Sequence, residues 1–547
     1  MMHATRHARC GLAGLLVVLV AGASGRAAAQ APAYDLLIAG GEVIDGTGGA
    51  RFRADVAVRG ERIVAVSRRA LPRGSARRVI DARGKVVAPG FIDLHTHLEP
   101  LPDMPGAESH VRQGVTTAVG GPDGGGPWPF GAYLDRVGAA GLGMNVAYLA
   151  GHNTIRRQVL GTANRAPTAA ELDRMRAMVA QAMGEGAFGL STGLLYIPGN
   201  YADITEVIAL ARAAGDSGGI YTSHLRAEGL GLLEGVREAI DIGRDAGIPV
   251  VLTHHKAVGK AMWGKSVTTL AMIDSARSAG LDVMADQYPY TASSTGLGVL
   301  VPQWAQANGD TAFSRRLADP VLRDSIVKEI VFLLENDRGG GDLKRVQFST
   351  VRWKPDLEGR TLYDWVTERG LPATPVAAAD LIIEGMLAGG ASMVFHVMDE
   401  GDVRRIMRHR WTAIASDGRL SQPGNGVPHP RAYGTFPRVL GRYVRELGVL
   451  TLEDAVRKMT GLPAARLGLT DRGRIAEGRM ADVTVFDPAT VADRATFTEP
   501  HQYPAGIDYV IVNGQVTVDA GAMTAVRAGR VLRHSPKPRS PETRPSR

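Results

Sequence analysis

Between residues 91 and 415 short apolar runs alternate with amphipathic stretches, and that rhythm constrains the fold more than any other feature. The apolar runs fall at 116–119, 145–149, 188–190, 220–223, 249–253, 282–285 and 412–415. Stretches of helical periodicity, such as 169–183 and 203–214, lie between several of them. Strand and helix alternating in this way predict a parallel sheet, and over this length a TIM (β/α)8 barrel. Residues 303–390 break the rhythm and read as a helical, irregular insertion placed to cover a site. Thr451 opens a late helix with Asp454 three residues on, the spacing of a capping box.

Both flanks of the barrel region, 89–470, have a different pattern. In 30–88, pairs such as Val43-Ile44, Val56 with Val58, Ile63-Val64 and Val86-Val87 are separated by Gly turns. In 471–529 the same pattern returns, with Asn513-Gly514 as a hairpin turn. The two segments are predicted to build one small β-sandwich domain from both chain ends, with the barrel inserted between them.

The termini carry the charge. Of the +8 net charge, three excess positives fall in residues 1–29 (Arg6, Arg9, Arg26) and five in 530–547. The body is therefore neutral, which argues against nucleic acid as a partner. Residues 1–29 combine basic residues, an apolar run too short to span a membrane, and Ala27-Ala28-Ala29. That is the pattern of a cleaved signal peptide, so a secreted or periplasmic protein without a membrane span is expected. Residues 530–547 read as a basic, Pro-rich, disordered tail. Cys10, in the leader, is the only cysteine, so disulfides and thiolate chemistry are excluded from the mature chain.

Candidate chemistry sits at the ends of the apolar runs. His95 and His97 have the i, i+2 spacing that places two imidazoles on one face of a strand. Such a pair alone is better explained as two surface histidines. His224 and His254, however, also end apolar runs. Four histidines at the ends of three strands fit one metal cluster on the barrel face where active sites lie. Asp417 follows another such run; a carboxylate there can take a proton from a metal-activated water, although Ser-Asp-Gly is also ordinary turn chemistry. Two softer candidates are Lys256, a partner for a substrate carboxylate or a plain loop lysine, and His152, which with Arg156 lines a pocket or supports structure.

Several stretches carry a resemblance: PGFIDLHTH (89–97), GVTTAV (114–119), GHNTIR (151–156), GAFGLSTGLLYIPGNYA (186–202), SHLRAEG (223–229), THHKAVG (253–259), DQYPYTASST (286–295), ASDG (415–418), HPRAYGTFPRVLG (429–441) and GRIAEGRMADVTVFD (473–487). In this order they resemble the D-aminoacylase (N-acyl-D-amino-acid deacylase) branch of the amidohydrolase superfamily. The resemblance implies one or two zinc ions, with His95, His97, His224, His254 and Asp417 at metal and catalytic positions. It places Arg431 where the substrate carboxylate is held, with Tyr288 and Ser294 as weaker matches.

One departure stands out. Where the family has a metal-binding cysteine after GVTT, this chain has Pro122-Asp123-Gly124. Asp123 can still ligate zinc, and an all nitrogen and oxygen site would also tolerate manganese or cobalt. The expected activity is metal-dependent hydrolysis of N-acyl amino acids, most simply N-acyl-D-amino acids, with Asp417 as general base and acid and Arg431 as a bidentate clamp. Two alternatives stay open from sequence: a related hydrolase of dipeptides, cyclic amides or N-acyl L-amino acids, and an inactive secreted binding protein on the same barrel.

Overall fold

A computed structural model of the chain describes residues 32–535. The signal-peptide reading of 1–29 therefore lies outside the described residues. Eight parallel strands form the barrel: Phe91–Asp93, Val115–Gly120, Asn145–Tyr148, Gly189–Gly193, Ile220–His224, Val250–Leu252, Val283–Gln287 and Thr412–Ile414. Phe188 donates to the Tyr148 carbonyl at 2.9 Å and Ala150 pairs with Leu190, which joins the third strand to the fourth. Beyond the last strand Gly418 pairs with Thr96 and Asp417 donates to the His95 carbonyl, closing the ring. Nearly every strand residue is buried, as expected for parallel strands covered on both faces.

The helices cover the outside for local reasons. In Leu232–Ala246 the buried residues include Leu232, Val236, Ala239, Ile242 and Ala246, one stripe at helical spacing. Gly247 ends that helix with φ 62°, the left-handed position that glycine takes without penalty. Thr168 and Glu171 form a full capping box on Ala169–Gly184. At the late helix Leu452–Met459 only half of the expected box forms. Thr451 accepts from the Asp454 N–H, but the Asp454 carboxylate turns to Arg457 at 2.9 Å instead of back to Thr451.

Strands from both chain ends share one nine-stranded sheet. The junction is the antiparallel pairing of Val86–Pro89 with Val483–Phe486. Leu36, Ile38, Val56 and Val87 from the first segment pack with Ile475, Val485 and Ile511 from the second. Asn513 and Gly514 turn the hairpin at positive φ.

Two expectations need correction. The insertion is not only helical and irregular. It begins at Ser293 and contains an antiparallel sheet of Ser293–Gly296, Ser392–Phe395 and Val346–Thr350, with a core of its own around Leu300, Ile330, Phe348, Trp365 and Ile382. These strands are short, and Ser293-Ser294-Thr295 has no apolar alternation to announce one. The tail is also partly structured. Val531 pairs with Val146, and Arg533 reaches Asp135 at 2.6 Å, so 530–535 lies against the barrel. Val531 and Leu532 supply the apolar contacts and Asp135 and Glu61 the countercharges that hold it there. Among the described residues no helix is long and apolar enough to cross a membrane.

A buried polar node ties barrel to β domain. Arg472 pairs with Asp482 and donates to Asn513 at 2.9 Å; Asp482 accepts from the Asn513 backbone at 2.7 Å and from Asn145 of the third barrel strand at 3.2 Å. Removing one partner of such a pair strands a buried charge. Asp482→Ala is expected to destabilise the protein by about 3–5 kcal/mol in guanidinium unfolding. A loss within experimental error would show that the node is not holding the two parts together.

Candidate metal centre

Each barrel strand that carries a candidate ligand delivers it at its C-terminal end. His95 and His97 follow Phe91–Asp93, and Asp123 follows Val115–Gly120. His224 ends Ile220–His224, His254 follows Val250–Leu252, and Asp417 follows Thr412–Ile414. Three of these six residues sit at left-handed φ: Asp123 at 53°, His254 at 37° and Asp417 at 49°. Non-glycine residues rarely adopt this region, and such strain persists where surrounding bonds fix it. Asp286 Oδ1 accepts the His254 N–H at 2.6 Å, and the His95 carbonyl accepts the Asp417 N–H at 2.9 Å. Gly193 leaves room for the Asp123 loop, since a Cβ there would lie 2.2 Å from the Asp123 carbonyl oxygen.

The six side chains converge. Asp123 Oδ1 lies 3.5 Å from both His95 Nε2 and His254 Nε2, and 3.8 Å from His224 Nδ1. Its Oδ2 lies 3.6 Å from His97 Nε2. Asp417 Oδ1 is 3.5 Å from His95 and 3.3 Å from His97. Two ligand sets result, His95–His97–Asp123–Asp417 and Asp123–His224–His254, and Asp123 belongs to both. Both ring nitrogens of His95 and His224, His254 Nε2 and Asp123 Oδ1 are buried without a hydrogen-bond partner. Buried polar atoms are normally satisfied, so this group of orphans facing a common centre fits a metal ion, and the nitrogen and oxygen donors fit zinc.

The surroundings hold the donors in place. Glu228 Oε1 lies 3.1 Å and Lys256 Nζ 2.7 Å from His254 Nδ1, and with that nitrogen engaged Nε2 is the one that faces the centre. Glu228 also pairs with Lys256 and lies 3.8 Å from Arg338. Asp93 Oδ1 accepts the N–H groups of His95 (3.2 Å) and Ser416 (2.9 Å), bracing the loops of the first and last strands. Burial pushes the Asp93 carboxyl up to about 6, against the pull of those bonds. Burial alone would also raise Asp417, but Arg431, His95 and His254 outweigh it and hold its carboxyl well below the usual range. Asp123 follows the same logic: burial raises it, and His95 and His254 bring it far down.

A cavity of about 260 Å³ opens over this cluster. Tyr288, Ser294, Lys256 and Arg431 line it, as do Glu228, Arg338, Tyr196 and Thr295, which sequence reasoning had not singled out. Glu228 was discoverable in principle: it lies four residues after His224 in SHLRAEG. Thr295 too was within reach, as the last residue of DQYPYTASST, whereas Arg338 carried no signal, because only the folding of the insertion brings it here. Two expectations change. His152 does not line the cavity; it is buried with Nε2 on Glu206 at 2.9 Å, beside Arg156 on the same carboxylate. Arg431 lines the cavity but is not a free clamp. Its Nη1 donates to Asp417 Oδ2 at 2.7 Å and its Nη2 to the Ser294 carbonyl at 3.3 Å.

The pattern that describes the amidohydrolase family matches residues 78–258 and 355–518. An N-acyl-D-glutamate deacylase of Alcaligenes xylosoxydans xylosoxydans is 40% identical over 522 residues, covering 91% of this chain and 96% of the relative. A solved N-acyl-D-glutamate deacylase from Bordetella bronchiseptica, complexed with zinc and a phosphonate mimic of the tetrahedral intermediate, superimposes with a TM-score of 0.79 at 37% identity, covering 91% of this chain and 99% of that one. A D-aminoacylase structure described by its binuclear metal centre gives 0.78 at 39% identity, with 92% and 100% covered.

Because Asp123 belongs to both ligand sets, its replacement should be felt at both. Asp123→Ala is expected to lower bound zinc sharply, measured as metal per chain, while Asp123→Cys retains a zinc site. Full metal content in Asp123→Ala would remove Asp123 from the ligands and reduce it to a turn residue, a role Asn would fill equally.

Proposed function

This chain belongs to the amidohydrolase family, and on that premise we propose that it hydrolyses the amide bond of N-acyl-D-amino acids, releasing a carboxylate and a free amino acid. The observation that carries this reading is the pairing of two ligand sets through Asp123 with an ionised Asp417 facing the same cavity. One or two zinc ions fit the sets, and the absence of thiolate admits manganese or cobalt as well. When bound, the metal supplies Lewis-acid activation of water and of the scissile carbonyl.

The protein side chains then supply proton transfer and positioning. Arg431 holds Asp417 Oδ2, which leaves Oδ1 facing the cluster. Oδ1 accepts the proton of the attacking water and returns it to the leaving amine, which departs poorly as an anion. Lys256, Arg431 and Tyr288 surround the space where a free α-carboxylate would lie. The two cations already balance Glu228 and Asp417, so they keep a fixed geometry before substrate arrives. The leader-like residues 1–29 support export to the periplasm as the place of action.

The test is turnover of paired N-acetyl D- and L-amino acids. The D partner is expected to be hydrolysed and the L partner to be poor; equal rates would overturn the stereochemical assignment. Asp417→Asn is expected to lose on the order of 10²–10⁴ in rate while zinc remains at the Asp123–His224–His254 set. Near-normal turnover in that variant would show that another group moves the proton.

A further inference from the structure

Three of the four histidines in the cluster are held by burial, and the fourth is not. The side chains of His95, His224 and His254 are at most 5% exposed. Tyr196 packs on the His224 ring with centroids 4.5 Å apart, and Glu228 and Lys256 engage His254 Nδ1. The His97 side chain, by contrast, is 27% exposed and stands on the cavity wall. Packing alone leaves the terminal torsion of such an imidazole broad.

Glu99 supplies the missing restraint. Its Oε1 lies 3.3 Å from His97 Nδ1, and an ionised carboxylate can only accept. The proton of a neutral His97 ring is then held on Nδ1, which leaves Nε2 with its lone pair. Nε2 is the nitrogen that faces the cluster, 3.3 Å from Asp417 Oδ1 and 3.6 Å from Asp123 Oδ2. The other Glu99 oxygen, Oε2, accepts from Arg419 Nη1 at 3.0 Å. Arg419 stands beside His97 in the short parallel pairing that closes the barrel. The Glu99 carboxylate therefore sits between the loops that carry His97 and Asp417, and both it and Arg419 are exposed.

His97 belongs to one ligand set only. We infer that Glu99 is a positioning residue for metal binding at the His95–His97–Asp123–Asp417 set and has no part in the Asp123–His224–His254 set, whose histidines have other supports. This rests on the metal-dependent reading of the site. It makes the two sets unequal. One is braced by buried contacts, the other through a carboxylate that water can reach. The set with the exposed link is the one expected to empty first as free zinc falls.

The experiment dialyses zinc-loaded enzyme against buffers of falling free zinc and measures zinc per chain. Wild type is expected to hold two ions and release them in two steps, and His97→Ala to lack the weaker step. Glu99→Ala should weaken that step by about 10–100-fold and leave the tighter one in place. Glu99→Gln, which keeps an acceptor without the charge, should fall between Glu99→Ala and wild type. Arg419→Ala should cost at most about fivefold, because an exposed ion pair contributes little. A single ion in wild type, both steps kept in His97→Ala, or a Glu99→Ala variant whose steps are unchanged or weakened alike overturns the assignment of Glu99. So does a loss in Arg419→Ala as large as in Glu99→Ala, which would make the pair a latch between two loops. In each case turnover of an N-acyl-D-amino acid by the zinc-loaded wild type leaves the deacylase reading standing. Wild type that takes up no zinc and hydrolyses no such substrate overturns both.

Discussion

The carboxylate of Asp123 lies within 4 Å of four imidazoles drawn from three different strands, and the rest of the site is arranged around that contact. A nearly buried anion among nitrogen donors is costly unless charge and hydrogen bonds, or a metal, compensate it. The chain meets this requirement by converging strand ends rather than by a local motif. The strain confirms how specific the arrangement is: Asp123, His254 and Asp417 all accept a left-handed backbone to point their side chains inward.

Around this centre every nearby cation has a carboxylate partner. Lys256 meets Glu228, Arg338 meets Asp337 and approaches Glu228, and Arg431 meets Asp417. In a poorly solvated cavity such pairing fixes long side chains that would otherwise lose much conformational freedom on ordering. It also divides labour within Asp417, whose two oxygens face different partners: one the guanidinium, the other the histidines. The arginine thus holds Asp417 in position as well as forming a wall of the cavity. Its place in the chain, next to His429-Pro430, gave no hint of that contact.

The barrel and the β domain supply rigidity, and the insertion supplies shape. The candidate ligands rise from the parallel sheet, where hydrogen bonding and burial on both faces leave little play. Ser294, Thr295 and Arg338, by contrast, arrive on a segment with its own core, outside the alternating βα pattern. Such a division lets the chemistry stay constant while the walls vary, as expected where function lives on loops and insertions carried by a stable scaffold.

What the sequence determined by itself is periodic or local. The alternation of strands and helices specified the barrel, the Gly-punctuated ends specified the β domain, and histidines at strand ends marked candidate ligands that the fold brings together, because strand geometry sends i and i+2 to one face. Asp123 was legible only through its departure from a family pattern. The tertiary structure alone decided which partners meet across the chain. Glu228 against Lys256, Arg431 against Asp417, and Thr295 against Tyr196 pair residues 14 to 99 positions apart. His152 shows the converse: its GHNTIR context suggested the pocket, and packing gave it to Glu206 instead. The physical reason is that hydrogen-bond periodicity is written along the chain, whereas the choice of partner for a buried charge depends on which other charges the finished fold brings within a few ångströms of it.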